Sequence, residues 1–360
     1  MSRAAIGTDV LVVGAGIAGS ALAYELSRRG VHVTLVERGA AGPEGASTVP
    51  AALINPHRGR TARAQSADLA GAQAFWSLVK GLEAEAGASG AYRTGVLRLA
   101  DNARQAQSWQ KLGASTRWLE AAEVPANYHA PFGALLVESG GWLRPQALLA
   151  ALTGAAAKRT ATVAWGTEFV GVRARTATSR AADQRTADLV GTLRSKGGAA
   201  IDVACRAVVV ATGAWQPAEL RLPRLELLWG EAHVFELGFT PPLPLAGAVV
   251  AAFQNGEAVV TGGHRHGGWL GAPTADAGGA PQSNAASAML RTLAGQLPQA
   301  AGARSTSSWH GVRAKRYSGQ PVVRRLAPGV HVMIGFGGRG FLRAALSASE
   351  LAGRLAAGLR

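Results

Sequence analysis

The sequence holds a single cysteine, Cys205, in 360 residues. One thiol cannot build a disulfide framework or a thiolate metal cluster within a chain. Cys205 stands at the head of the apolar run Ala207 to Ala211, where a structural thiol is expected rather than a reactive one. Lysine is scarce as well: only five of the 37 basic residues are lysine. Acids number 22, which leaves a formal charge of +15. A positive surface suits an anionic substrate or a nucleic acid, but the basic residues are scattered and form no long run, which speaks against a nucleic-acid-binding tail. No apolar run is long enough to span a bilayer. The N-terminus lacks the charged, apolar and small-residue zones of a secretory signal, so a cytoplasmic protein is expected. There is no internal repeat. With 48% hydrophobic residues and this length, the chain has material for two domains and a sizeable core.

What is present begins almost at once. Asp9-Val-Leu-Val-Val-Gly-Ala-Gly-Ile-Ala-Gly19 is answered by Val33-Thr-Leu-Val-Glu37. Val10 to Val13 form the continuous apolar run of a strand buried on both faces. Gly14 makes the tight turn, Gly16 admits a pyrophosphate against the backbone, and Gly19 allows close packing of helix on strand. Ala15, Ile17 and Ala18 complete the turn and open the helix, whose unpaired N–H groups point at the phosphates. Glu37 falls where an acid accepts the adenosine ribose hydroxyls. The whole strand–turn–helix–strand–acid unit is far more specific than its Gly triplet alone.

Downstream, residues 39 to 56 read as a small-residue loop carrying Ser47 and Thr48. An amphipathic helix is expected over 62–86, with Leu69, Phe75, Leu78, Val79 and Leu82 on its apolar face. Further helices are expected near 103–112, from Trp142 through Ala157, near 285–297 and from Arg343 to Leu359. Residues 163 to 210 alternate as a strand meander ending in Val208-Val-Val-Ala-Thr-Gly-Ala-Trp215, a buried strand running into a Gly turn. Residues 225–262 are strand-rich, and 267–284 read as a surface loop. Val330 to Ile334 is a last buried strand, entering Gly335-Phe-Gly-Gly-Arg-Gly340. Dinucleotide features thus recur at the start, middle and end. The expected fold is α/β: a discontinuous Rossmann-like domain over 1–75, 140–222 and 305–360, with an α+β substrate domain on a mixed sheet over 76–139 and 223–304.

Five ordered motifs then match one family. They are Gly14 to Gly19 with Glu37-Arg38; Gly45-Ala-Ser-Thr48; Ala211-Thr-Gly-Ala-Trp215; Gly311-Val-Arg313 with Pro321 beyond it; and Gly335 to Gly340 before the last helix. Over nearly its whole length the chain resembles the FAD-dependent D-amino acid oxidase superfamily, near glycine and sarcosine oxidases. The resemblance implies a glutathione-reductase-type FAD domain. It places the cofactor against the first motif, Arg38, Ser47, Thr48, Phe169, Gly213, Trp215 and the loop Gly338, Arg339, Gly340, Phe341 and Leu342. It implies non-covalent FAD, because the cysteine that anchors flavin in some sarcosine oxidases has no counterpart near the C-terminal part. Two segments, Gly45 to Pro56 and Gly337 to Gly340, are similar to the oxidase half of a bifunctional enzyme that removes a carboxymethyl group from a modified tRNA wobble uridine. The chain departs from the family pattern at Ser318, where Asp is usual, at Trp229-Gly-Glu231, where Arg-Gly-Gln is common, and at Ala345, where Pro is common.

The chemistry so implied is oxidation of a C–N bond in a small amino acid or N-substituted glycine. The amine's α-hydrogen passes as hydride to flavin N5, and the imine hydrolyses. Arg313 is the candidate for the substrate carboxylate, since a guanidinium grips one bidentately. Arg339 either stabilises reduced flavin, touches substrate or pairs with an acid. Three alternatives stand beside this reading: a tRNA-modifying oxidase, a dehydrogenase passing electrons to a quinone or carrier, and a flavin-binding protein without turnover. The tRNA partner is the less favoured; it would call for a basic face, with Arg58, Arg60, Arg63 and Arg343 as candidates. His264-Arg-His266 is a weak metal motif with no third ligand nearby, and no metal is expected. His233, His310 and Tyr317 are pocket candidates, although packing is the plainer role for each. The nine tryptophans are expected to serve core and interface rather than base stacking.

Overall fold

The computed structural model describes residues 6–40, 42, 45–113, 115–175, 188–195, 198–217, 219–269 and 284–359. Two eight-stranded sheets organise them, with a small three-stranded sheet between. The first sheet is built on the opening strand, Ile6–Val13. It pairs in parallel with Val33–Val36 on one side and with Ala200–Val210 on the other, and Val33–Val36 pairs in parallel with Ala161–Ala164. The last buried strand, Val330–Ile334, runs parallel to the far half of Ala200–Val210. Val10, Leu11 and Val12 are wholly buried, as a strand covered on both faces requires.

One face of this sheet is covered by helices. Every residue of Ile17–Ser27 is buried, and this helix packs on Gly340–Gly358 and Pro145–Ala157. The helix Ser66–Ala86 crosses Gly340–Gly358 closely because Gly71 has no side chain; a Cβ there would lie 2.5 Å from the Leu342 carbonyl oxygen. The other face is covered by residues of an antiparallel meander, Thr167–Ala174, Leu189–Ser195 and the first half of Ala200–Val210, with Phe169 and Leu193 in its core.

The second sheet is almost wholly antiparallel. Its strand order is Arg304–Lys315, Glu226–Glu236, Glu257–Trp269, Val250–Gln254, Leu245–Ala246, Val96–Leu99, Ala134–Val137, Thr116–Leu119. The helix Ala285–Gln296 seats Met289 and Leu293 in its core. A register shift between Trp229 and Glu231, against Glu257–Trp269, breaks the strict alternation of faces there.

Several expectations change. The strand Arg304–Lys315 belongs to the second sheet, although the motif reading put 305–360 with the cofactor domain. The helix starting at Ser66 extends the cofactor-side layer to Ala86, past the expected boundary at 75. Leu69, expected on that helix's apolar face, is exposed, while Phe75, Leu78, Val79 and Leu82 are buried. The expected meander over 163–210 is split, since Ala161–Ala164 joins the parallel part of the sheet. The surface loop expected over 267–284 lies mostly outside the described residues, as does the side chain of His264. No helix among the described residues is long and apolar enough to cross a membrane.

Candidate active site

A cavity of about 1010 Å³ lies between the two large sheets. Its lining joins Gly14, Gly16, Ile17, Ala18, Glu37 and Arg38 on the first sheet to Trp229, Gly230, Glu231 and Arg313 on the second. Ser47, Phe169, Gly213, Trp215, Gly338, Gly340, Phe341 and Leu342 also face it.

The dinucleotide end is made of backbone. Gly14 takes φ +97°, and a Cβ on it would sit 2.8 Å from the Ala211 carbonyl oxygen. Gly19 is more constrained: its Cβ would lie 1.9 Å from the Gly14 carbonyl oxygen. Neither residue admits a side chain. Glu37 Oε2 accepts the Ala15 N–H at 2.8 Å and Oε1 the Gly39 N–H at 3.0 Å, which fixes the carboxylate beside the Gly loop. Ser47 Oγ accepts the Ile17 N–H at 3.1 Å, so the second loop is pinned to the first turn of the helix. The Arg38 guanidinium lies over the Trp215 ring, 5.6 Å from its centroid. Ala15, Gly19 and Thr48 shape this end without lining the cavity; Thr48 Oγ1 donates to the Gly45 carbonyl at 2.8 Å and accepts from Trp309 Nε1 at 3.0 Å.

The opposite end is made of side chains brought from distant strands. Arg313 stands opposite Leu228, and its guanidinium lies over Gly230, where a Cβ would be 2.9 Å from Nη2. Enclosure by protein lowers the Arg313 pKa from the ordinary arginine value, yet an arginine remains charged. The indole of Trp309 covers Gly311, where a Cβ would come within 2.5 Å of the ring. Trp309, Gly311 and Arg313 share one face of their strand at period two. The break in register at Gly230 leaves Trp229, Gly230 and Glu231 all on the cavity wall. Arg265 Nη2 reaches Glu231 Oε1 at 3.2 Å.

Arg339, expected at the flavin or the substrate, turns elsewhere. Its Nη1 donates to Gln65 Oε1 and to the Gly319 carbonyl, each at 3.4 Å, and its Nε lies 3.9 Å from Asp68. Asp68 is thus an acid partner for it, one of the three roles open to it in the sequence. Arg343, a candidate for a basic surface, is 3% exposed and bonds to Asp68 at 2.6 Å, with Gln320 and Gln65 also bound. It presents no charge to a partner. Arg58, Arg60 and Arg63 are exposed. Tyr317 is 95% exposed and does not line the cavity, nor do His233 and His310. Ser318 accepts the Gln320 N–H within its own turn at 3.4 Å, and Ala345 is buried in the last helix. Among the described residues, no group of three or more His, Cys, Asp or Glu is placed to hold a metal.

Two residues escaped the sequence reading. Trp309 was detectable in principle from its alternation with Arg313. Arg98 was not, since a buried arginine in the strand Val96–Leu99 has no sequence signature.

A glycine-lined dinucleotide turn facing a substrate sheet across one cavity defines a nucleotide-cofactor oxidoreductase. The chain belongs to the DAO family of FAD-dependent oxidoreductases, whose model matches residues 9–354. It is 28% identical over 99% of its length to the tRNA 5-methylaminomethyl-2-thiouridine biosynthesis bifunctional protein MnmC of Maricaulis maris, covering 54% of that protein. It is 30% identical over 66% of its length to the MnmC of Burkholderia vietnamiensis, covering 36% of it. The chain therefore spans about half the length, or less, of these curated relatives. In fold it is similar to glycine oxidase from Geobacillus kaustophilus, with TM-score 0.77 and 22% identity, covering 97% of this chain and 95% of that one. It is also similar to iminodiacetate oxidase from Chelativorans, with TM-score 0.72 and 21% identity, covering 96% and 94%. The family's cofactor fits the site: two glycines exclude side chains beside the helix N-terminus, Glu37 is fixed next to them, and the cavity continues to Arg313.

Proposed function

We propose that this chain is a cytoplasmic enzyme that holds FAD non-covalently and oxidises the C–N bond of a small N-substituted glycine or amino acid, with O2 as acceptor. One observation carries the reading: Arg313 faces the same cavity as the dinucleotide turn, from the opposite sheet. When bound, FAD supplies the two-electron oxidant. The chain's own residues do the rest. Gly16 and the first turn of Ile17–Ser27 offer backbone N–H groups to phosphate, while the Gly14 N–H is held by the Val36 carbonyl at 2.8 Å, and Glu37 faces the ribose. Arg313 holds the substrate carboxylate and so fixes the neighbouring α-carbon. Its positive charge also favours the neutral form of a nearby amine, the form that can be oxidised. Trp229, Trp309 and the enclosing sheets exclude bulk water. Non-covalent attachment is supported by Cys205, which is wholly buried in the first sheet, away from the cavity, with a thiol pKa pushed up to about 12 by that burial.

A second reading rests on the relatives named for tRNA modification. A carboxymethylaminomethyl group is itself an N-substituted glycine, so the same carboxylate grip would serve a tRNA-borne amine. The burial of Arg343 removes one basic residue from the face such a partner needs. Anaerobic flavin bleaching against glycine derivatives, D-amino acids and undermodified tRNA tests both readings. Bleaching by free amines with peroxide release in air supports the first. Bleaching by tRNA alone replaces it with the second, and flavin that no amine reduces defeats both.

A further inference from the structure

Arg98 is 6% exposed, and its Nη1 and Nη2 donate to the carbonyls of His57 and Gly59, each at 2.6 Å. Those two residues flank Arg58. The Arg98 guanidinium also lies over the Trp109 ring, 4.8 Å from the centroid. Burying an arginine is costly unless its donors are satisfied. Here two of its hydrogen bonds fix the backbone on either side of a second arginine. The side chain of Arg58 is fixed at its tip as well: Nη1 donates to the Gly338 carbonyl at 3.0 Å, leaving Nη2 to point elsewhere. A Cβ built on Gly338 would lie 3.4 Å from Arg58 Nη2 and 3.3 Å from Arg313 Nη1. The two guanidiniums therefore converge on the same small region against Gly338, on the cavity wall.

Like charges so placed repel, and an anion between them relieves the repulsion. The setting is strongly cationic. Arg58 is exposed, yet the protein packed around it and then the charge of Arg339 lower its pKa, with Arg313 and Arg343 adding to the effect and Asp68 opposing it. We infer that Arg58 is a second carboxylate-binding residue, closing with Arg313 on one carboxylate of the substrate, and that Arg98 is the positioning residue that presents it. The inference rests on the proposed function and adds to it a second residue, with its support, that makes the site select carboxylates over amides or esters.

The test uses the FAD-loaded protein and two probes that cannot be oxidised as amines, methoxyacetate and its uncharged amide, methoxyacetamide, with binding measured by calorimetry. Wild type should prefer the acid. Arg58→Met should weaken the acid by about ten- to a hundredfold, the loss expected for one charge-assisted pair, and leave the amide unchanged. Arg58→Lys should fall between, since it keeps the charge without the fork. Should Arg58→Met fail to retain FAD, Arg58→Lys carries the same acid-against-amide comparison. Equal weakening of both probes would show that Arg58 only braces the Gly338 loop, and an unchanged acid affinity would remove it from the site; either overturns the inference. Acid binding that needs Arg58, in a protein whose flavin no amine carboxylate reduces, would defeat the proposed function and leave this inference standing.

Discussion

The two ends of the cavity are built on different principles. At the dinucleotide end the groups that matter are backbone atoms, and what keeps them available is the lack of side chains. Gly14 and Gly19 are held by contacts within a few residues of each other, and with Ala211 across one parallel pair. At the substrate end the groups are long side chains, Arg58, Arg313, Glu231 and Trp309, from segments far apart in sequence. Their meeting depends on sheet register, on the irregularity at Gly230 and on Arg98 holding a loop. The first end tolerates almost no substitution and serves any substrate. The second can be retuned one side chain at a time while the cofactor stays in place. This is the physical reason one fold carries many substrates.

The largest expected effect therefore lies at the dinucleotide end. Gly19→Ala puts a methyl 1.9 Å from the Gly14 carbonyl oxygen, a clash that helix and strand cannot both absorb. Overpacking of this kind costs about 1–3 kcal/mol or more. The variant should fold poorly and hold no FAD, as read by flavin absorbance per chain and by Tm. Gly16→Val should keep the fold better yet lose FAD, because its side chain meets Ser47 Oγ, 3.1 Å from the Cβ position, and fills the pyrophosphate space. If either variant purifies with one FAD per chain, the contrast between the two ends is wrong.

Next in size is Arg313→Ala. Losing a charge-assisted pair costs about 1.5–3 kcal/mol, so kcat/KM for carboxylated amines should drop by roughly ten- to over a hundredfold. FAD content should not change, since Arg313 lies at the other end. A fall in both, or in neither, would collapse the distinction drawn above.

The same contrast governs what was legible in the sequence. The Gly loop with Glu37, the loop of Ser47 and the Gly335–Gly340 loop are each short local segments, and their chemistry follows from local spacing. The parallel strands and most helices follow from apolar periodicity, to within a few residues at their ends. The substrate end was only partly legible. Arg313 stood out through its motif and Arg58 is exposed as a basic-face residue should be, but neither the approach of Arg58 to Arg313 nor the part played by Arg98 is legible in the sequence. Nothing in a sequence says that two carbonyls flanking residue 58 will meet a strand that starts at residue 96. Arg343 was misjudged for a similar reason, and Arg339 shares its acid. Their common partner, Asp68, sits on a helix 270 or more residues earlier in the chain. Charge counts alone do not show that an arginine is already engaged.

A smaller effect is expected from Ser47→Ala. Ser47 Oγ accepts the Ile17 N–H, so the substitution removes one hydrogen bond between the second loop and the helix start. The loss should be about 1 kcal/mol, or roughly a fivefold rise in the Kd for FAD. Titration of the apoprotein with FAD checks this, and an unchanged Kd would place the second loop outside the cofactor's energetics.

The smallest effect is a pH dependence that separates the ends. His57, beside Arg58, is 5% exposed; its Nδ1 meets the Ala62 carbonyl at 2.8 Å and its Nε2 the Ser115 hydroxyl at 3.2 Å. Burial, and to a lesser degree the charge of Arg98, lower its pKa from the ordinary histidine value, while the Ala62 carbonyl opposes them. His331, on the strand Val330–Ile334 of the first sheet, is lowered by burial and by Arg325 and Arg354. For both, the unfolded chain binds the proton more readily than the fold. Their stabilising contribution is full above the unfolded pKa near 6.5 and is lost as pH falls below it. Tm should therefore decline as pH drops from about 7.5 to about 5.5, before most carboxylates titrate. His57→Gln should remove part of that decline, and His331→Gln another part. Only His57→Gln should also flatten the pH dependence of methoxyacetate binding, because only His57 belongs to the loop that presents Arg58. If His331→Gln flattens the binding profile equally, the two ends of the cavity are coupled through the fold, and the substrate end cannot be retuned independently of the cofactor end.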